Sequence, residues 1–262
     1  MFRFFHLFFS FFKIGALNEL QYRVNFFVQI FQSLLALGVG LFGLALVFNQ
    51  TADLAGWSAS ELLAVMGVFF IMGGMIRVSI QPNMERLMGD IRQGTLDYAL
   101  TKPADSQVLV SIREVRIWQS VDILMGAIVL GYSVSQVETQ IGIQGALAFA
   151  AALLMGGLMV YCFWLIITTG AFWVIRIDQI VELFQGVYQA GRWPVTIYPG
   201  WLRILLTFLV PVAFAVTVPA ESLTGRLTGQ TLFFAFLLTA LLMTVARLVW
   251  KFGLRFYSGA SA

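Results

Sequence analysis

The chain has one cysteine, one histidine and few charges. Cys162 has no partner in the sequence for an intrachain disulfide, and its place in an apolar run reads as a packing thiol. With His6 the sole histidine, neither a Cys/His metal site nor a histidine-activated nucleophile can be assembled in the usual way. No GxxxxGK[S/T] phosphate loop is present, which excludes ATP binding by that route, and HExxH and Gly-x-Ser-x-Gly are also missing. Charged residues are 11% of the chain against roughly 25% in a soluble domain. Few of them fall deep in the apolar runs, where a proton-coupled carrier would need buried carboxylates.

What the sequence does have is apolar length. Hydrophobic residues fill 60% of 262 positions, and the mean hydropathy is +0.87. The apolar runs are continuous rather than alternating, so they read as helices and not as barrel strands. The expected fold class is an all-α integral membrane protein with six transmembrane helices and an N-terminal interfacial amphipathic helix. Five expected spans are 24–48, 61–80, 117–134, 145–173 and 231–249, and the other crossing falls within 178–222, where hydropathy favours 201–221. The chain is too short to add a sizeable soluble domain.

Residues 1–22 place Arg3, His6, Ser10 and Lys13 at spacings of three, four and three in a phenylalanine-rich stretch. That predicts a helix lying flat in the membrane interface with one polar stripe toward water. In the fourth span, Gly145, Ala146, Ala148, Gly156 and Gly157 are small enough for close helix packing in lipid. Arg77 and Asp122 each sit about one turn inside the same end of their spans. They can pair, or each can snorkel separately to the headgroups.

Two readings fit residues 178–222. In one, 178–200 stays on the surface and 201–221 spans. In the other, 178–193 is the fifth span and 200–222 is re-entrant on the outer side, as the prolines Pro194, Pro199, Pro211 and Pro219 and the aromatic Trp201 favour. Basic residues set the orientation. Arg86, Arg92, Lys102, Arg113, Arg116, Arg247, Lys251 and Arg255 gather at one set of helix ends, whereas Asp53, Glu138 and Glu221 lie at the other, with Arg226 as the exception. Both termini and the 83–116 loop are therefore expected on the cytoplasmic side.

Ten charged residues fall within that loop. Met84, Leu87, Met88 and Ile91 line up at i, i+3, i+4 and i+7, which predicts a short amphipathic helix with Glu85, Arg86, Asp90 and Arg92 on its other face. Gly94 is placed to cap it in the left-handed conformation. Thr95 can cap a second turn, Leu96 to Leu100, which Pro103 stops. The soft Met-rich stripe fits either a groove on another protein or the lipid headgroups.

The order of elements resembles the permease subunits of type-2 ATP-binding-cassette exporters. Asp90-Ile91-Arg92-Gln93-Gly94-Thr95-Leu96-Asp97, followed by Leu100-Thr101-Lys102-Pro103, is similar to the cytoplasmic "I-R-x-G-T-L-D…L…K-P" segment of one branch of these permeases. Trp193-Pro194, Tyr198-Pro199-Gly200-Trp201, Val210-Pro211 and Pro219-Ala220 are similar to the outer re-entrant segment. The resemblance implies a permease that dimerises or pairs with a sister permease in the inner membrane and binds two copies of a separate ATPase, which holds the ATP and magnesium. It implies no cofactor in this chain and no nucleic-acid partner. It also implies that 83–103 couples to the ATPase through Met84, Glu85, Leu87, Met88, Asp90, Ile91, Arg92, Gly94, Thr95, Leu96, Asp97, Lys102 and Pro103, and it tips the choice toward 178–193 as the fifth span with 200–222 as a re-entrant outer helical pair before the last span. The phenylalanine content and the scarcity of buried charge suggest a hydrophobic or amphipathic substrate, such as a lipid-linked molecule or drug. The competing reading is a small channel or scaffold without an ATPase. An intramembrane enzyme is disfavoured because no polar catalytic constellation is visible.

Overall fold

A computed structural model describes residues 23–137, 142–173 and 179–257, together with Lys13, Gly15, Leu17 and Glu19. Most of the expected interfacial helix, including Arg3, His6 and Ser10, lies outside the described residues, as do Glu138, Arg176 and Asp178. The described residues are overwhelmingly helical, and the only β pairing among them is a single bridge between Leu54 and Trp57.

Helix α1, Arg23–Phe48, is long and apolar enough to cross a membrane but contributes few side chains to the core. Helix α2 begins at Ala59–Met75 behind a capping box in which the Ser58 hydroxyl and the Glu61 carboxylate each accept the other residue's backbone N–H. It was expected to end at Ile80. Instead it continues through one wider turn, Ile76–Ile80, into α3, Gln81–Gln93, giving 35 unbroken helical residues. Pro82 explains the wide turn. Proline has no N–H to offer Val78, and the Val78 carbonyl is taken instead by the Arg116 amide at 3.0 Å.

Short helices α4, Asp97–Leu100, and α5, Ser106–Ser111, then fold back against α3. Helix α6, Ser120–Gln136, returns alongside α2, and α7, Ile143–Thr169, follows. Helix α6 approaches α2 to backbone contact. A Cβ on Gly126 would lie 2.6 Å from the Gly67 carbonyl oxygen, and one on Gly74 would lie 2.9 Å from the Ile123 amide. In the fourth span, Gly156 packs closely enough that a Cβ would lie 2.4 Å from the Phe214 carbonyl oxygen.

Helix α8, Gln179–Gln189, follows. After it comes a pair bent by 78°: α9, Gly200–Ile204, prolonged by a wide turn to Leu209, and α10, Val218–Leu223, preceded by a wide turn from Ala213. The last helix, α11, is Gly229–Gly253. Among the described residues, five helices can span by length and composition, and the bent pair would be a sixth if it is one broken span rather than a re-entrant loop. The described part of α8 is only 11 residues, so it does not qualify by length.

One core unites α2, α3, α7, α8 and α10, with Trp57, Trp164 and Trp250 fully buried in it. Residues 81–119 close one end as a cap.

Candidate functional site

The cap is built on α3. Met84, Leu87 and Met88 are buried, and Ile91 is partly buried against them. This corrects the expectation of an outward docking stripe: the apolar face is covered by the protein's own helices, because α3 continues α2 and keeps the same face toward the core. Gly94 ends α3 at φ 68°, and the Thr95 amide bonds the Asp90 carbonyl at 2.9 Å. Thr95 does not cap the next turn. Its hydroxyl donates to the Asp90 carboxylate at 3.2 Å, and Leu96, at the N-cap position before α4, supplies no side-chain cap.

The returning chain is fastened to α3 by paired polar groups. Asn83 donates to the Glu114 carbonyl at 2.8 Å and accepts from the Glu114 amide at 2.9 Å. Arg113 meets Asp90 at 2.7 Å, Arg116 meets Glu85 at 2.6 Å, and Arg86 meets Glu114. Asp105 caps α5 by accepting from the Gln107 and Val108 amides and pairs with Arg247 of α11. The Arg247 guanidinium, opposed slightly by burial, holds the Asp105 carboxyl below its ordinary range. The Ser111 hydroxyl and the Tyr161 hydroxyl of α7 lie 2.8 Å apart, and the Trp250 indole donates to Ser106. Leu96, Ala99, Leu109 and Val110 fill the space beneath. The outer rim is Arg92, Tyr98, Lys102 and Pro103, with Tyr98 75% exposed. Asp97, at the start of α4, is half-buried.

Arg77 and Asp122 are brought together. Arg77 Nη2 lies 2.6 Å and Nε 3.0 Å from Asp122 Oδ2. The sequence reading missed the rest of the cluster. Ser33 of α1 donates to Oδ1 of Asp122, and Gln29 donates to Oδ2 at 3.3 Å and to Ser33 at 3.1 Å. Gln29 and Ser33 are four residues apart on one face of an apolar helix, and that spacing was the available signal. A buried carboxylate with four donors is well satisfied, and the cluster ties α1 to α2 and α6. On the other side of Arg77, a cleft is lined by Gln81 and by Gln185 and Gln189 of α8.

At the far end, Arg226 grips Glu61 with both nitrogens, Nε to Oε1 at 2.7 Å and Nη2 to Oε2 at 2.9 Å, and stacks over the Trp57 ring at 4.6 Å. That pairing accounts for Arg226, the basic exception noted in the sequence, although Arg203 lies at this end as well. The Trp57 indole donates to Thr196 at 3.0 Å, and Arg203 donates to the Thr196 carbonyl at 2.7 Å. Pro194 precedes the turn 195–197, and Pro199 sits just before α9. Pro211 marks the 78° break, with Val210 before it extended. Pro219 lies in the first turn of α10, buried, whereas Trp201 on α9 is 69% exposed.

Along α8 and the turn 195–197 that follows it, the contacts progress from Gln185 on Gln81, through Tyr188 on the Phe69 carbonyl at 2.8 Å, to Thr196 on Trp57. That is a path from the cap end of α2 to its far end. The segments flanking the bent pair, Thr196 and Arg226, both reach that far end.

No curated protein and no solved structure matches the chain. Residues 34–261 match the family described as ABC-2 family transporter protein, a stretch that includes the cap, the ion pair and the bent pair. The chain therefore belongs to the ABC-2 transporter family, as a membrane permease subunit.

Proposed function

We propose that this permease works with a separate ATPase, in two copies about a permease dimer, to export a hydrophobic or amphipathic substrate from the cytoplasm. The observation that carries this reading is the continuity of α2 with α3. The same 35 helical residues that line the core end in the cap, and Asp105, Ser106 and Ser111 tie the cap to α11 and α7. A displacement of the rim by an ATPase would therefore reach three membrane helices with little slack.

The contact falls on Arg92, Tyr98, Lys102 and Pro103 rather than on Met84, Leu87 and Ile91, whose side chains face inward. An exposed tyrosine beside cations is a good anchor for a protein groove. The path of α8 contacts supports it as the fifth crossing, with Pro199 to Leu223 dipping in and returning on the outer side. Six crossings then leave both termini with the cap in the cytoplasm, where the basic residues gather. The polar cleft of Arg77, Gln81, Gln185 and Gln189 supports a wetted path beside α8, since lipid would not tolerate those groups.

The test is reconstitution of the permease with its ATPase in sealed vesicles, with a fluorescent amphipath loaded on the ATPase side. ATP-dependent movement to the opposite side is expected. Flux that is indifferent to ATP would instead support a channel.

A further inference from the structure

A cavity of about 300 Å³ opens between α1 and the residues that lead into α6, and none of its lining residues belongs to the cap rim or the α8 cleft. Its α1 wall carries Asn25, Gln29 and Gln32, a carboxamide stripe at i, i+4 and i+7 on an otherwise apolar helix. Its other wall is Arg116, Trp118 and Gln119, and Glu19 closes it. One carboxylate and one guanidinium therefore face the same space. Glu19 accepts the Trp118 amide through Oε2 at 3.1 Å, which fixes its carboxylate there, and Arg116 is only partly committed to Glu85, with its side chain 44% exposed. The level is that of lipid headgroups, because α6 begins here and Trp118, packed on Phe26 at 4.9 Å, sits at the rim as interfacial tryptophans do. From the cavity, Val28, Leu35 and Val39 run along α1 as an exposed apolar track toward the middle of the helix.

We infer that this cavity holds the headgroup of a zwitterionic phospholipid bearing a phosphate and a primary ammonium. Arg116 takes the phosphate, Glu19 takes the ammonium, the carboxamides of Asn25, Gln32 and Gln119 serve the ester and glycerol oxygens, and an acyl chain lies on Val28, Leu35 and Val39. A ligand with a single charge would leave either Glu19 or the exposed side of Arg116 without a counterpart in the ligand. A quaternary ammonium has no N–H for Glu19 to accept. Gln29 also belongs to the Asp122 cluster, so the bound headgroup touches the device that fastens α1 to the bundle.

The experiment uses the full-length permease in nanodiscs containing equal amounts of phosphatidylethanolamine, phosphatidylcholine and phosphatidylglycerol, followed by gentle extraction and mass spectrometry of retained lipid. Phosphatidylethanolamine should be retained roughly tenfold over phosphatidylcholine, the worth of a hydrogen bond to a charged group. Glu19→Gln, which can still accept from Trp118, should erase that preference. Arg116→Gln should reduce retention of every phospholipid, whereas Glu85→Gln, which breaks the same ion pair but frees Arg116, should not. Soluble phosphoethanolamine should fail to compete. Size-exclusion profiles confirm that each variant is folded. Equal retention of the three lipids, a preference for phosphatidylglycerol, unchanged preference in Glu19→Gln, equal losses in Glu85→Gln and Arg116→Gln, or displacement by phosphoethanolamine would each overturn the assignment.

Discussion

Asp122 shows how one buried carboxylate can organise three helices. Its side chain is 4% exposed, and it accepts from Arg77, Ser33 and Gln29. Removing it takes the shared acceptor from Arg77 and from the buried Ser33 and Gln29, so Asp122→Ala should cost about 1–3 kcal/mol. Arg77→Ala and Asp122→Ala together should cost less than the sum of the two, measured by thermal unfolding in detergent, and strict additivity would reject the coupling. Gly126 is a second critical residue. Gly126→Val would drive side-chain atoms into the Gly67 carbonyl and should destabilise by about 1–3 kcal/mol or more. Gly131 on the same helix has no neighbour within 4 Å of a Cβ, so Gly131→Ala is the matched control and should be tolerated. The positions of Arg77 and Asp122 were readable from the sequence because charges stand out in apolar runs. The glycine seam was not, because Gly67 and Gly126 become neighbours only through packing.

At the scale of elements, the cap depends on the Asp105–Arg247 link between α5 and α11. Since the folded carboxyl is depressed below its ordinary value of about 4, the link contributes stability at neutral pH and loses it as pH falls through the folded value. The stability difference between wild type and Asp105→Asn should therefore be present at pH 7 and shrink as the pH is lowered past 4. A difference that is constant with pH would contradict the pairing. Gly94→Val should distort the end of α3, since a β-branched residue resists φ 68°, and should lower substrate-stimulated ATP hydrolysis more than assembly. The amphipathic period of 84–91 was plain in the sequence, and so was the glycine cap. The direction of the apolar face was not. A period says that a face is covered, and only the continuity of α2 into α3, with Pro82 absorbed by a wide turn and the Arg116 amide, says what covers it. Thr95 was misassigned for a related reason: the Asp90 carboxylate, folded back by the glycine turn, lies within reach of its hydroxyl.

For the whole molecule, the membrane class and family were legible from hydropathy and from the Asp90–Pro103 and Trp193–Ala220 segments. The proposed fifth crossing was harder to read, since Glu182, Gln185 and Gln189 dilute the apolarity of α8. The central claim is that the cap's rim, and not its apolar stripe, seats the ATPase. The most direct measurement is co-purification of the ATPase with two permease variants of the same chemistry, Tyr98→Asp and Met84→Asp. Tyr98→Asp should extract and elute as folded permease yet lose the ATPase, because an exposed anchor is replaced by a charge in the interface. Met84→Asp should fail earlier, as a misfolded permease, because Met84 is fully buried. Wild-type ATPase recovery with Tyr98→Asp, or a stable Met84→Asp permease that lacks only its ATPase, would contradict the account.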